Sequence, residues 1–447
     1  MSSVRDAVRV HKTTSADSVT AEPGFGPHVR VFDPGTPAEE IQAALDAAAA
    51  SGPTPAGSAA GRCAFLFKPG TYDVDVRLGS RTSVAGLGLF PDDVTINGEV
   101  RVEGQDRSGG GDSAVTGMWR AAENLAVVPP GGTDRRAVTR AAPPRRAQVR
   151  GRLRPGASAR PVPGPPSAAT DGTRTTTPGA GPAAGPVSRA KPFLYVDEHG
   201  RYRVFLPALR PAGTDPVRAN GTAPGSSVPL DQFFVARPAD SARTLNRALA
   251  RGMHLLLTPG VYRLTDTIRV KWAGTVVLGL GFPTLTPRHG VVPMTVPTTR
   301  GVRLAGLLFD AGPVESRVLL EVGTGRGGRT DPADPASVQD VFFRVGGAGA
   351  GRAATALVVD SDHVLLDNVR AWRAGHGTGA GTVTGTSTGT GTGRAVGTPE
   401  TGVVVNGDHV LATGLFVEHF PKDNVVWNGE HGRALTFRNE PVPHPAA

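Results

Sequence analysis

The sequence predicts an all-β protein built as two tandem right-handed parallel β-helices, each led by a short helix. Three observations carry that expectation. The turn Asn-Gly-Asp-His at 406–409 returns as Asn-Gly-Glu-His at 428–431, and Glu418 returns as Glu440, each at an offset of 22 residues (428 − 406, 440 − 418). A module reading "CAFLFKPGTYDV" recurs as "HLLLTPGVYRL", with Pro69 and Pro259 190 residues apart and Gly86 and Gly279 193 apart. After the second copy, short apolar strands alternate with Gly, Asn and Asp turns, from "GVRLAGLLFDAG" at 301 to "HGRALTFRNE" at 431. Coils of that length return the chain to the same place one rung on, about 4.8 Å away, which is the signature of a solenoid. Parallel crossovers are overwhelmingly right-handed, which sets the hand.

Taken in order, residues 1–24 are expected to be disordered and 25–146 to form the first β-helix domain. Its helix is signalled by the apolar spacing of Ile41 and Leu45. Residues 147–190 are rich in Pro, Gly, Ala and Thr and hold almost no large apolar side chain, so burial cannot offset their ordering entropy. They are expected to be disordered. In 191–213, "FLYVDEHGRYRVFLPAL" alternates apolar and polar residues about a His-Gly turn and reads as a connecting hairpin. The second β-helix domain, 214–447, opens with a helix marked by Leu245 and Leu249. A Gly/Thr-rich flexible loop is expected at 376–400. Removing it restores the period, since Asp362 to Asp408 is 46 residues, one coil of 22 plus an insertion of 24.

The formal charge of +9 arises from 48 Lys and Arg against 39 Asp and Glu. Many arginines crowd Arg135 to Arg160 without interleaved aromatics, so no stacking platform for nucleic-acid bases is expected. Cys63 is the sole cysteine, which excludes an intrachain disulfide and a cysteine zinc cluster. No apolar run is long enough to span a bilayer, and the N-terminus lacks the apolar stretch of a signal peptide. Asp408, His409, Glu430 and His431 could be imagined as metal ligands, but Asn-Gly followed by a polar pair is turn chemistry repeated with the coil. No metal and no cofactor is expected.

If the register holds, Glu418 and Glu440 stand one above the other on one face. Two carboxylates this close cannot both ionise freely, so one is expected to hold its proton. An acid beside an ionised partner is the equipment for cleaving a glycosidic bond. Stacked carboxylates can equally be a repeated surface feature. Trp372 and Trp427, with Phe416 and Phe420, are either core aromatics or, at a cleft, platforms for a sugar ring.

Several stretches, "FGPHVRVFDPG", "LFKPGTYDV", "VAGLGLFPDDVTING", "KPFLYVDEHGRYRVFLP", "FFRVGGAGAG" and "NGDHVLATGLFVEHF" among them, closely resemble bacterial laminarinases of glycoside hydrolase family 55. The resemblance covers about 25–145 and 191–440. It implies a pectin-lyase-like fold of two β-helices side by side, with a sugar cleft between them. It further implies a secreted exo-β-1,3-glucanase that inverts configuration and acts on β-1,3-glucan; without an export signal the protein is expected in the cytoplasm. Apart from the resemblance, a monomer is expected, with neither nucleic acid nor membrane as partner. Carried over, Glu440 is the general acid and Glu418 a second active-site carboxylate, and Trp427 and His419 match positions near the cleft. Apart from the resemblance, Trp372 and Lys422 are further candidates for binding the substrate, Lys422 also being the proton acceptor a lyase would need. The sequence departs from the family in four places. Residues 147–190 replace a Ser-Gln-Gln-Gln-Trp stretch that orders the attacking water, and Val138-Thr139-Arg140 stands for Val-Ser-Gln. Gly375 replaces an Asp, and "NEPVPHPAA" ends where the family continues. Weak or lost activity is therefore expected, with a non-catalytic glucan binder as one alternative and a polysaccharide lyase as another.

Overall fold

The structure, a computed structural model, describes residues 23–50, 62–79, 81–102, 120–130, 133–134, 148–149, 152–153, 187–211, 224–297, 299–323, 330–346, 351–374 and 400–441. Most of the segments expected to be disordered, 1–24, 147–190 and the loop 376–400, lie outside these residues.

Within them the chain is an all-β solenoid. In the N-terminal module, Val29–Phe32, Cys63–Phe67, Thr82–Gly86 and Ala121–Glu123 pair in parallel in chain order. A second sheet stacks Gly70–Tyr72, Val94–Asn97, Ala126–Val128 and Gln148–Val149, and a third pairs Val76–Leu78 with Val100–Val102. The coils 63–78 and 82–102 thus each give one strand to each of three faces and bury their inward residues along the axis. Phe65, Val84, Ile96 and Leu125 are among those fully enclosed.

The C-terminal module repeats the plan on a larger scale. One sheet of twelve strands climbs from Phe233–Ala236 to Phe437–Glu440, and a second of six runs from Ile268–Arg269 to Asp423–Trp427. Registered residues stack like to like along the axis, as in the column Ile268, Met294, Leu320, Leu357, Val403 and Val425. Phe309 and Phe343 stack ring on ring at 5.2 Å. Because side chains in a strand alternate faces, the in-register ladder turns a sequence period into a continuous apolar core.

The tandem copies match in detail. Tyr72 Oη donates to the carbonyls of Phe32 (3.2 Å) and Lys68 (2.8 Å); Tyr262 Oη donates to Ala236 (2.8 Å) and Thr258 (3.0 Å). The preceding glycines, Gly70 and Gly260, have φ of 149° and 150°, and a Cβ on either would sit 2.2 Å from a proline Cγ. Both copies carry their helix, Ala38–Ala49 and Ala242–Ala250, the second capped by Ser241 accepting from the Thr244 N–H.

Between the modules, Phe193–Val196 and Tyr202–Pro207 form the expected hairpin, and Gly225–Pro229 adds a third antiparallel strand. The disorder expected for 147–190 needs correction at both ends. Gln148–Val149 and Arg152–Leu153 pair in parallel with preceding strands, and Val187–Arg189 pairs antiparallel with Leu209–Pro211. Composition misled there because backbone pairing to an existing edge needs no large apolar side chain. Arg189 then anchors on the second module, donating to Pro335 O (2.6 Å) and Asp334 Oδ1 (2.7 Å). Lys191 bridges Glu123 of the first module and Asp340 of the second, the latter at 3.2 Å. A shared apolar cluster, including Leu66, Leu87, Leu194, Tyr202, Leu256 and Leu278, packs module, hairpin and module together.

Candidate active site

The repeated turn is built by ladders. Asn428 Nδ2 donates to Asn406 Oδ1 (2.7 Å), and Asn406 Nδ2 donates to Asp360 Oδ1 (2.6 Å). The N–H of Glu430 donates to Asp408 Oδ1 at 2.7 Å, and that of Asp408 to Asp362 Oδ1 at 2.8 Å. His363, His409 and His431 sit at φ of 54°, 56° and 55°, with rings stacked 4.8 and 4.9 Å apart. Parallel imidazoles aim their lone pairs side by side rather than at a common point, so these residues shape a turn.

That turn sets the register further along the coil. Leu415–Glu418 and Phe437–Glu440 pair in parallel with Glu418 opposite Glu440, as their spacing predicts. Leu415 and Val417 point into the core, so the alternate residues Phe416 and Glu418 project outward, and Arg438 and Glu440 stand over them. Traced through successive rungs, one outward column reads Asp310, Arg344, Trp372, Glu418, Glu440. Its neighbour reads Leu308, Phe342, Arg370, Phe416, Arg438. Leu308 and Phe342 are covered with Phe282 against Ala121 of the first module, and Trp372 packs at the edge of that cluster, half-buried. The two columns therefore run out from beneath the first module, and the carboxylates stand just beyond the tryptophan.

The Glu418 side chain is 11% exposed and that of Glu440 38%. Arg438 Nε donates to Glu440 Oε1 at 2.8 Å, its Nη2 donates to the same oxygen, and Nε lies 3.8 Å from Glu418 Oε1. The bond to Glu440 raises the Arg438 guanidinium above its usual value. Arg370 lies with its guanidinium 5.1 Å over the Phe416 ring. Burial draws Arg370 downward, opposed by Glu418 and Glu440. The two like charges that the spacing sets together are thus joined by two cations. Arg438 was legible in principle, since a residue two before Glu440 on a strand shares its face. Arg370 was masked by the insertion that breaks the numbering between its rung and the next.

His419 has its Nε2 3.9 Å from Glu440 Oε2, and its backbone N–H donates to Glu440 O at 2.8 Å. Trp372 stands one rung before Glu418. Lys422 is exposed on the corner after Glu418, its backbone N–H bonded to Glu400 O. Trp427 is placed elsewhere. It registers with the enclosed Val405 on the second sheet, packs partly buried against the interior core, and borders an opening at the last coil with Gly429, His431, Gly432 and Ala434. Parity decides this, because Trp427 shares the inward face of its strand with Val425. It is three residues, roughly 10 Å, along the strand from Asn424, whose amide donates to Glu440 O.

A ladder of parallel strands with an outward carboxylate pair beside an aromatic face defines a protein of the pectate-lyase-like class of parallel β-helices. A family model, the LAM55 pectate lyase-like domain, matches residues 233–440. An exo-beta-1,3-glucanase from Streptomyces sp. (strain SirexAA-E / ActE) is 41% identical over 483 residues, covering 96% of this chain and 75% of that protein. The structure of sacteLam55A from Streptomyces sp. SirexAA-E superposes with a TM-score of 0.77 at 41% identity, covering 94% of this chain and 80% of that one. A Glu-to-Ala variant of sacteLam55A in complex with glucose gives 0.78 at 40% identity, over 96% and 82%. The chain belongs to this family of exo-beta-1,3-glucanases.

Proposed function

We propose that the protein hydrolyses β-1,3-glucan from chain ends by acid/base catalysis with inversion, Glu440 serving as general acid and Glu418 as its partner carboxylate. The observation that carries this reading is the register of Glu418 and Glu440 on adjacent outward rungs next to Trp372. Glu440, the more exposed of the two, is placed to give a proton to the glycosidic oxygen. Glu418, one rung away on the same face, is its ionised partner, and Trp372 offers its half-buried face to a sugar ring. Similarity to an exo-beta-1,3-glucanase and to a glucose complex supports the substrate class. A glucan polymer does not enter a cell, so the reaction belongs outside it.

The test is glucose release from laminarin, with the anomer followed by NMR. Wild type should release α-glucose, and Glu440→Gln should lose at least about a hundredfold in kcat, the typical worth of a positioned acid. Laminarin bound without product would sink the hydrolase reading and leave a glucan-binding protein.

A further inference from the structure

The geometry points to Arg438 as the positioning residue that decides which oxygen of Glu440 meets the substrate, an inference that rests on the acid role proposed for Glu440. Arg438 and Glu440 are two apart on the strand Phe437–Glu440 and share its outward face. A guanidinium commonly grips a carboxylate as a fork, one N–H to each oxygen. Here both Nε and Nη2 donate to Oε1 alone. Oε2 is left turned the other way, toward His419 Nε2 at 3.9 Å. The guanidinium is itself set from below, because Arg438 registers on Phe416, whose ring carries the Arg370 guanidinium at 5.1 Å. The charged groups around Glu440 among the described residues are thus Arg438 on its own strand, with Glu418, His419 and Arg370 from the coils beneath.

This arrangement gives the two oxygens different tasks. With Oε1 occupied by permanent donors, the transferable proton sits on Oε2. As the bond from C1 to the glycosidic oxygen breaks, that proton passes from Oε2 to the leaving oxygen. Water adds to C1 from the opposite face and yields its own proton to the surrounding solvent, so protons and charge balance. Glu440 is left as a carboxylate, and the hydrogen bonds at Oε1 strengthen as that charge develops, which lowers the barrier. Arg438 acts through Glu440 and needs no contact with the sugar.

Five proteins decide the matter: wild type, Glu440→Gln, Arg438→Gln, Arg438→Lys and the double substitution of Arg438→Gln with Glu440→Gln. Each is assayed on laminarin and on an aryl glucoside whose dinitrophenolate leaving group needs little protonation. Arg438→Gln should lower kcat on laminarin by about tenfold or more with KM nearly unchanged, yet cost less than about twofold on the activated substrate. Glu440→Gln should show the same contrast, larger. Arg438→Lys should recover part of the loss. The double substitution should be no worse than Glu440→Gln alone, because the two residues act as one unit. Equal losses on both substrates, or a loss carried by KM, would assign Arg438 to folding or binding and overturn the inference. Unchanged turnover in Arg438→Gln beside an active wild type would refute Arg438 alone. A wild type inactive on both substrates would refute the hydrolase reading itself.

Discussion

At the scale of single residues, the spacing of 22 made the carboxylate pair legible, because a parallel ladder converts equal offsets into direct neighbours. What spacing alone could not show was polarity and parity: the cations that join the pair, and the inward turn of Trp427. The same limit applies to His254, which opens the strand His254–Leu257. Its Nδ1 accepts the Val276 N–H at 3.1 Å, a bond only an unprotonated nitrogen can make. Burial, and then Arg303, lower its proton affinity from the ordinary value. An unfolded histidine takes up a proton near pH ~6.5, the folded one only at lower pH. Between those values the unfolded chain binds more protons, so the stabilisation is present above about pH 6.5 and is lost as pH falls through the folded value. Urea unfolding at a series of pH values should show that loss in wild type and a flatter profile in His254→Gln.

At the scale of the coil, the Asn-Gly turn was read correctly as turn chemistry, and the structure supplies the reason for each position. A Cβ on Gly407 would lie 1.9 Å from Ser361 O, backbone that cannot move without breaking the next rung. Gly252 has a φ of +81° but nothing within 4 Å of its Cβ position. Gly407→Ala should therefore cost about 2–3 kcal/mol as an overpacked contact, against about 1 kcal/mol for the backbone penalty of Gly252→Ala. Thermal unfolding of the two variants checks the difference, and equal shifts would mean that the turn relaxes. The third strand of the hairpin, Gly225–Pro229, escaped the sequence reading because "GSSVP" carries too few apolar residues to alternate. Its partner strand recruits it through backbone hydrogen bonds, which the amino-acid pattern does not record.

At the scale of the molecule, the duplication was legible and the attachment of the copies was not. Pairing Lys191 with Glu123 and Asp340 joins residues far apart in the chain and leaves no periodic trace. Asp340 is 3% exposed and keeps the hydrogen bond from Asn368 Nδ2 (2.7 Å), so Lys191→Met would remove the ion pair across the interface at a cost of about 1.5–3 kcal/mol. The expected result is a urea curve that separates into two steps as the modules uncouple. A single, unshifted transition would show that the shared apolar cluster holds them without the lysine. The solenoid also settles how the site is located. Trp372 and Glu418 are 46 residues apart and Glu418 and Glu440 are 22 apart, yet each pair occupies neighbouring rungs (418 − 372, 440 − 418). The insertion 375–399 leaves at Ala374 and rejoins at Glu400, where an ion pair with Arg373 closes its base. The candidate residues thus hold addresses by storey rather than by distance along the chain. Such a protein can lengthen its corners freely in descent while the chemistry keeps its coordinates, and only the gain or loss of part of a storey would evict it.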